Sequence, residues 1–321
     1  MNAVINNGYG SVDVLQYTSI EKPTPKPNQL LVKVHGTSVN PIDWKIRKGL
    51  LKLFTGNKFP MILGFDISGD VVEVGSAVTR FHPGEPIYAY LDSFPGGAYA
   101  EYAVVSEQAA CLKPNNMTPI QAAAVPLAAL TALQGLRNQG KIQPGHQVLI
   151  NGSSGGVGSF AVQIAKALAA QVTAVCSTKN VELVKSLGAD RVIDYTIQDV
   201  TQDTAKYDIV FNTVAHQTFS RWQKMLKPRG VYVTTLPTVE SVVQTLFTSI
   251  FPGKTAKLIR VKPSGKDLTF LKELIEANKI QSVIEETYPL SDVAQAHSIS
   301  EQGHVVGKLV IRVTPVSDRQ M

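Results

Sequence analysis

A glycine-rich loop stands between a strand-like run and an amphipathic helical pattern near the middle of the chain. The strand-like run His146–Ile150 leads into glycines at 152, 155, 156 and 158, and the helical pattern from Gly156 extends to about Ala170. Such glycines permit a tight turn and a close backbone approach to a diphosphate, and the N–H groups at a helix N-terminus attract phosphate. The pattern predicts a dinucleotide-binding loop with these phosphate-contacting residues: Ser154, Gly155, Gly156, Val157 and Gly158.

The loop departs from the strict G-x-G-x-x-G pattern, because Ser153 stands at the first glycine position. An ordinary surface turn is the alternative interpretation. The strand before it, the helix after it and the later strand–helix alternation favour dinucleotide binding.

The end of the next strand bears on which dinucleotide the loop takes. Enzymes that use NAD usually carry an acidic residue there, which bonds the ribose 2′-hydroxyl. This chain reads Ser177, Thr178 and Lys179 instead, and the next acid is Glu182. Hydroxyls and a lysine suit a 2′-phosphate, so we predict NADPH as the cofactor. The alternative is a capped helix start with a solvated lysine.

Zinc chemistry is not expected from this sequence. A structural zinc site of four cysteines is excluded because the chain has two, Cys111 and Cys176, both within apolar stretches. This low count suits a reducing compartment. No closely spaced ligand set is formed by the six histidines, which are His35, His82, His146, His216, His297 and His304.

The elements that must position these residues change character along the chain. The first 120 or so residues contain short β-rich runs broken by prolines and glycines, which predicts an all-β module. From Thr118 onward helices alternate with strands, which predicts a parallel sheet with right-handed crossovers. Among the later predicted elements are a helix Phe219–Leu226, a strand Val231–Leu236, a helix Leu268–Ala277 and a strand Val283–Thr287.

Composition fits a folded protein of about two domains. The chain has 321 residues, 44% of them apolar, and 31 Lys and Arg against 25 Asp and Glu give a net charge of +6. Disorder is therefore not expected. The start MNAVINNGYG does not have the pattern of a secretory signal, and no apolar run suits a membrane helix. We expect a cytoplasmic protein.

Several stretches together resemble the medium-chain dehydrogenase/reductase superfamily, in its zinc-independent quinone oxidoreductase (zeta-crystallin-like) branch. They include SVNPIDWK from Ser38, GDVVEVG from Gly69, GAYAEY from Gly97, AAVPLAALTAL from Ala123, SGGVG from Ser154 and KSLGADRVIDY from Lys185. Within the branch the chain looks most like the chloroplast-envelope quinone oxidoreductase homologues. The resemblance implies an α/β fold with a GroES-like β domain over 1–122, a Rossmann doubly wound parallel-sheet domain over 123–264, and a C-terminal segment 265–321 that returns to the first domain. It also implies an active site between the domains and a homodimer.

The resemblance also implies roles for particular residues. Asn40 and Asp43 match an Asn-Pro-x-Asp motif that borders the nicotinamide, and Thr131 matches a threonine near it. Lys45 stands where many quinone reductases carry tyrosine, and it would polarise the substrate oxygen or donate a proton. The alternatives are a local turn cap for Asp43, a solvated side chain for Lys45 and a neutral helix-interior residue for Thr131. Cofactor-facing strand ends are matched by Tyr195, Val214 and Thr235.

Zinc-dependent members of the superfamily bind a catalytic metal through a cysteine and the histidine of a Gly-His-Glu motif. At the matching stretches this chain reads Val39-Asn40-Pro41 and Gly64-Phe65-Asp66. The thiolate and the imidazole are both replaced, so the resemblance implies a mechanism without metal.

We therefore expect an NADPH-dependent oxidoreductase that transfers a hydride to quinones or to α,β-unsaturated and oxo-lipid carbonyls. The alternatives are a zinc-free, NAD-dependent alcohol dehydrogenase and a non-catalytic, NADPH-binding structural or regulatory protein. A basic cluster without acids follows the largely apolar run Val242–Phe251, and consists of Lys254, Lys257, Arg260, Lys262 and Lys266. It predicts either a peripheral membrane contact or a solvated face. Nucleic-acid binding is not expected, because no recognised module is present.

Overall fold

The computed structural model describes residues 1–214, 218–250 and 253–313. His216, Phe251 and residues 314–321 of the predicted C-terminal segment lie outside the described residues. The strands are β1 Asn2–Asn6, β2 Leu15–Ser19, β3 Gln29–Val39, β4 Met61–Ile62, β5 Asp66–Val74, β6 Pro86–Tyr90, β7 Tyr102–Ser106, β8 Ala110–Leu112, β9 Gln147–Asn151, β10 Gln171–Cys176, β11 Arg191–Asp194, β12 Tyr207–Asn212, β13 Leu226–Thr234, β14 Thr255–Leu258, β15 Ile284–Pro289 and β16 Lys308–Arg312. The α-helices are α1 Pro41–Arg47, α2 Lys52–Thr55, α3 Pro119–Ala123, α4 Pro126–Gln134, α5 Gly156–Ala167, α6 Val181–Ser186, α7 Phe219–Trp222, α8 Val239–Ile250, α9 Gly265–Glu276 and α10 Val293–Gln302.

The described residues form two compact units. The first unit contains residues 1–127, 262–276 and 282–313, so the late part of the chain joins the early part. Its larger sheet has the order β15-β16-β3-β5-β6-β8, with β7 paired to β3, and its smaller sheet has the order β2-β1-β4. All these pairs are antiparallel except β15 with β16.

Glycine allows two long strands of the first unit, β3 and β5, to pair closely. At Gly69 on β5, a Cβ atom would lie 2.0 Å from the Lys33 carbonyl oxygen of β3, so only glycine allows the two strands to approach this closely. Apolar side chains of β3, β5 and β6, including Leu30, Ile67 and Ile87, belong to the buried core of this sheet.

The second unit contains residues 128–261, apart from those outside the described ranges, and 277–281. Its sheet is parallel throughout, with the order β11-β10-β9-β12-β13-β14. Counted from β9 as strand 1, this is the order 3-2-1-4-5-6 of a doubly wound nucleotide-binding sheet. The predicted fold class is confirmed. Ligands of such sheets bind where the strand order reverses, which here is between β9 and β12.

Several predicted element bounds were wrong. The helix from Phe219 ends at Trp222, a 3-10 turn follows, and Leu226 already belongs to β13. Pro228 favours extended backbone at Lys227, inside β13, but it lies too far along the chain to account for the end of the helix at Trp222. The strand predicted at Val231–Leu236 corresponds to β13, which starts at Leu226 and ends at Thr234. The helix predicted from Leu268 begins at Gly265, and the strand predicted from Val283 begins at Ile284.

None of the described helices combines the length and the apolar character that spanning a bilayer requires.

Candidate functional site

The glycine loop lies at the carboxyl end of β9, beside the end of β12. Gly152 has a φ of 79°, a left-handed conformation that favours glycine, and turns the chain out of the strand. A Cβ atom at Gly152 would lie 2.5 Å from Thr213 Oγ1 and 2.6 Å from a Val214 methyl group. The turn is therefore built against the residues that follow β12, at the point where the strand order reverses.

Ser153 shows why the first motif glycine is dispensable here. Its N–H and its Oγ both donate to the Val175 carbonyl oxygen, at 3.1 and 2.9 Å, and the residue is fully buried. Because Gly152 already supplies the left-handed residue, Ser153 fastens the loop to β10 instead.

The last two motif glycines serve different purposes. A Cβ atom at Gly158 would lie 2.0 Å from the Gly152 carbonyl oxygen, so this glycine allows α5 to pack against the turn. Gly155, the N-cap residue of α5, has a φ of −79°, and its Cβ atom would lie 3.5 Å from the same oxygen. The fold itself would accept a side chain at Gly155. Because glycine has no side chain, the space beside the N-terminus of α5 stays open to a bound group. A diphosphate at the N-terminus of α5 fits this cradle.

Asn180 joins the glycine loop to the end of β10, a contact that was not predicted from the sequence. Its Nδ2 atom donates to Ser154 Oγ at 3.0 Å and to Ser177 Oγ at 3.4 Å. The two hydroxyls belong to the loop and to the predicted 2′-phosphate site, so one buried amide sets their spacing. An asparagine just before a helix, three residues after Ser177, was the available signal, but it reads equally well as a cap.

Thr178 and Lys179 are exposed residues of a 3-10 turn that precedes α6, next to the end of β11. The Thr178 hydroxyl lies 2.8 Å from the Thr196 hydroxyl, and Thr196 donates to the Asp194 carboxylate at 2.7 Å. Bonds from Thr178 and Thr196 hold the pKa of Asp194 below its usual value. The predicted 2′-phosphate site thus contains the exposed Lys179, and the nearby Asp194 carboxylate accepts hydrogen bonds from threonine hydroxyls.

The remaining predicted cofactor residues lie at or just after strand ends. Tyr195 follows β11, is half exposed, and donates its N–H to the Cys176 carbonyl oxygen at 3.0 Å. Val214 follows β12, and Thr235 follows β13 with its N–H 3.2 Å from the Asn212 carbonyl oxygen. These three residues stand at the carboxyl edge of the parallel sheet, with the glycine loop.

In the first unit, Asn40 is the N-cap residue of α1, Asp43 lies in its first turn and Lys45 in its last turn. Asp43 Oδ2 accepts the Asn40 N–H at 2.7 Å and so caps the helix, as the local alternative expected. The same oxygen accepts the Tyr99 hydroxyl at 2.7 Å, and Asp43 is fully buried. A helix cap can form at the protein surface, so the capping role of Asp43 does not explain why its carboxyl group is buried.

Burial is the largest influence on Asp43, and it raises the pKa of the carboxyl group to about 7. The bonds from Asn40 and Tyr99 oppose the rise, and the charge of Asp66 adds to it. Asp43 Oδ1 has no hydrogen-bond partner within the described residues. The group can therefore exchange a proton near neutral pH.

Tyr99 connects Asp43 to a second buried group. The Tyr99 hydroxyl lies 3.1 Å from His297 Nε2 on α10, and the two rings meet edge to face at 5.5 Å. Burial lowers the pKa of His297 to about 3, so the imidazole is neutral at physiological pH. When Asp43 is ionised, Tyr99 donates to it, and His297 must then donate from Nε2 to the tyrosine oxygen. Neither Tyr99 nor His297 was predicted as a site residue.

Lys45 is half-buried, and this burial lowers the pKa of its ammonium group. Its Nζ atom lies 5.5 Å from the centre of the Trp44 ring, within the range of a cation–π interaction. A lysine with a lowered pKa is a better proton donor than a solvated one. Thr131 lies buried on α4 in the second unit, inside the helix.

The basic cluster is divided between the two units: Lys254, Lys257 and Arg260 lie in the second, and Lys262 and Lys266 in the first. On α8, just before the cluster, Val239, Val243 and Leu246 have exposed fractions of 84%, 58% and 63%. Membrane contact stays a prediction. In the described ranges of the chain, no three His, Cys, Asp or Glu side chains are grouped so that they could hold a metal ion.

Comparisons with known proteins agree with this architecture. The family model described as alcohol dehydrogenase GroES-like domain matches residues 26–115, and the one described as zinc-binding dehydrogenase matches residues 187–311. The chloroplast envelope quinone oxidoreductase homolog of Arabidopsis thaliana is 36% identical, with 97% of this chain and 98% of the relative covered. The chloroplastic NADPH-dependent alkenal/one oxidoreductase of the same plant is 36% identical over 98% of this chain and 80% of its own. Among solved structures, the quinone oxidoreductase from Coxiella burnetii matches with a TM-score of 0.89 and 33% identity, covering 98% of this chain and 99% of that one.

Proposed function

Because the chain belongs to the quinone oxidoreductase branch of the medium-chain dehydrogenase/reductase superfamily, we propose that it reduces quinones or α,β-unsaturated and oxo-lipid carbonyls with NADPH, without zinc. Its membership makes it an NAD(P)H-dependent oxidoreductase. The observation that carries the proposal is the cradle formed by Gly152, Gly155 and Gly158 at the reversal of strand order. The names of the relatives support quinones and alkenals or alkenones as substrates.

When bound, the nicotinamide supplies a hydride. Reduction of a quinone or an enone also takes up a proton and builds negative charge on oxygen. Asp43 can release a proton near neutral pH, and the Lys45 ammonium group can stabilise the oxyanion. We propose that Asn40, Asp43, Lys45 and Thr131 border the reacting atoms. The loop residues, Ser177, Thr178, Lys179 and the three strand-end residues would hold the nucleotide.

The proposed mechanism without zinc is supported by the side-chain chemistry of the residues directly before α1 and β5. Asn40 and Phe65 stand where zinc-dependent relatives carry cysteine and histidine, and Asn40 uses its amide within a buried network. An amide and a phenyl ring are poor ligands for Zn²⁺.

The test of the proposed function is a turnover assay that follows the loss of NADPH absorbance across a panel of quinones, enones, oxo-lipids and simple alcohols with their ketones. We expect reduction of quinones or enones, at a rate that a metal chelator does not change. Tight NADPH binding without turnover of any substrate would instead support the non-catalytic alternative. Loss of activity with the chelator, restored by Zn²⁺, would contradict the metal-free mechanism.

Lys179→Ala is expected to weaken NADPH binding about tenfold, which is ~1.4 kcal/mol, and to leave NADH binding unchanged. The reason is that Lys179 would neutralise the 2′-phosphate, which NADH lacks. Fluorescence titration with both cofactors measures the effect. Lys185→Ala is the matched control, because Lys185 lies on α6 in an exposed ion pair with Glu182. An equal loss for both cofactors would remove Lys179 from the 2′-phosphate site.

Lys45→Met is expected to lower kcat by about tenfold to hundredfold without changing NADPH affinity, because the oxyanion loses its cationic partner. Lys48→Met is the control: Lys48 Nζ also lies 5.5 Å from the Trp44 ring centre but is ion-paired with Glu301. A wild-type kcat in Lys45→Met would favour the solvated alternative for this residue.

Three further parts of the proposal rest on the sequence and on the family resemblance. They are the domain bounds at 122/123 and 264/265, the homodimer and the cytoplasmic location. Analytical ultracentrifugation tests the dimer, and fractionation of cells that produce the protein tests the location.

A further inference from the structure

Lys308 is a buried lysine on β16, and it was not among the site residues predicted from the sequence. Its side chain is 4% exposed. Its Nζ atom donates to the Val39 carbonyl oxygen at 3.0 Å and to Asn40 Oδ1 at 2.5 Å. Burying an ammonium group is costly unless it is paired, so its surroundings must compensate for the lost hydration.

The compensating charge is the carboxylate of Asp66 on β5. Asp66 Oδ2 lies 3.7 Å from Lys308 Nζ, and both side chains are buried. Asp66 Oδ2 also accepts Ser38 Oγ at 2.6 Å and Asn40 Nδ2 at 2.7 Å, while Oδ1 accepts the Leu127 N–H at 2.7 Å. The carboxylate is therefore fully engaged on both oxygens.

Lys308 and Asp66 together fix the side-chain amide of Asn40. The ammonium group donates to the amide oxygen, and the carboxylate accepts from the amide nitrogen. Rotating the amide by half a turn would place its NH₂ group against the ammonium and its oxygen against the carboxylate. The ion pair thus allows one orientation of Asn40.

The same ion pair places opposing charges near Asp43, whose pKa is raised mainly by burial. Two buried carboxyl groups, Asp43 and Asp66, share one buried ammonium group, Lys308. The charge of Asp66 raises the pKa of Asp43, and the charge of Lys308 lowers it. With Asp66 matched to Lys308, the second carboxyl group is the one that can take up a proton.

We propose that Lys308 is a positioning residue for the reaction: its ammonium group orients the Asn40 amide and neutralises Asp66, which leaves Asp43 as the proton-exchanging carboxyl group. The role in turnover rests on the proposed function, whereas the effect on Asp43 does not. The titratable, charged or hydrogen-bonding groups around Asp43 are Asn40 and Arg47 on α1, Asp66 on β5, Tyr90 on β6, Tyr99 before β7, His297 on α10 and Lys308 on β16.

The test compares Lys308→Met, Lys308→Arg, Asp66→Asn and the double variant Lys308→Met/Asp66→Asn with the wild type. Three quantities are measured: the titration midpoint of Asp43 by carboxyl ¹³C NMR, assigned with Asp43→Asn; the thermal midpoint; and kcat. Lys308→Met should move the Asp43 midpoint upward by a few tenths to about one pH unit, because a nearby positive charge is lost. Asp66→Asn should move it downward, and Lys308→Arg should keep it near the wild-type value.

The double variant separates positioning from simple stabilisation. Lys308→Met leaves the buried Asp66 carboxylate without a charged partner, whereas the double variant removes that charge as well. We therefore expect the thermal midpoint of the double variant to be higher than that of Lys308→Met. The Asn40 amide is then free to reverse, because its oxygen can accept from the amide that replaces the Asp66 carboxylate. We expect kcat to stay about tenfold to hundredfold below wild type, with NADPH affinity unchanged.

Two results would overturn the proposal: an unchanged Asp43 midpoint in Lys308→Met, or a double variant that recovers kcat together with its thermal midpoint. If Lys308→Met does not fold, Asp66→Asn and the double variant give the same two readouts. If the wild type reduces no substrate, the proposed function fails, and the Asp43 titration still decides whether Lys308 controls that group.

Discussion

Gly155→Ala is expected to weaken NADPH binding by about tenfold to hundredfold, or ~1.4–2.8 kcal/mol, while the thermal midpoint stays at the wild-type value. Within the described part of the chain, the added methyl group would meet the Gly152 carbonyl oxygen at 3.5 Å, an ordinary contact. The φ of −79° suits alanine as well as glycine. The methyl group would instead occupy the space in front of the α5 N-terminus, where the diphosphate has to approach the backbone.

Gly158→Ala is the informative comparison. Its methyl group would lie 2.0 Å from the Gly152 carbonyl oxygen, so the turn or α5 must move, and both stability and cofactor affinity should fall. Gly8→Ala, where the added atom meets nothing within 4 Å, controls for the effect of alanine itself. Calorimetric titration with NADPH and a thermal melt suffice for all three. Wild-type affinity in Gly155→Ala would mean that the diphosphate does not bind at this loop.

Asp43→Asn is expected to lower kcat by about a hundredfold to ten-thousandfold, the usual range for loss of a general acid. Asparagine keeps an oxygen that can accept the Asn40 N–H and the Tyr99 hydroxyl, so the helix cap is retained. The exchangeable proton is lost. Asp70→Asn is the control, because this carboxylate lies on β5 in a partly exposed pair with His35. An unchanged kcat would show that the proton comes from elsewhere.

The pH dependence of Asp43 has a definite sign. The pKa of the folded protein's carboxyl group, about 7, is above its ordinary value of 3.8, so the folded state binds this proton more tightly than the unfolded state. The resulting stabilisation is complete below the unfolded pKa and is lost as the pH rises towards and through about 7. Wild-type kcat should also fall above about pH 7, because the acid is then ionised.

Asp43→Asn should lack both effects. Its thermal midpoint should change less between about pH 5 and about pH 8 than that of the wild type, and its residual turnover should lose the inflection near neutral pH. Thermal melts and kcat profiles across this range provide the measurements. The same inflection in the variant would assign it to another group.

Local sequence signals predicted the nucleotide-binding half well. Gly152 accounts for the turn and Gly158 for the close packing of α5, and the strand–helix alternation implies the parallel sheet. The helix predicted to reach Leu226 instead ends at Trp222, where a 3-10 turn follows.

The polar network of the first unit could not be predicted in the same way. Lys308 contacts Asn40 across 268 residues of sequence, and His297 contacts Tyr99 across 198. Neither Lys308 nor His297 lies in a local motif that carries chemistry. Burial, which raises the pKa of Asp43, is a property of the folded chain. The Asn-Pro-x-Asp motif indicated a site at Asn40 and Asp43 but not the helix α1 or the side chains that surround it.

The state of the two cysteines affects how well the protein resists chemical modification by the proposed substrates. Quinones and enones are electrophiles, and they alkylate thiolates rather than thiols. Cys111 and Cys176 are 5% and 1% exposed, and burial raises the pKa of both thiols, that of Cys176 to about 11. Each is therefore shielded and protonated at neutral pH. An enzyme built this way handles a thiol-reactive compound without offering it a thiolate, and should keep its activity during prolonged exposure to such compounds.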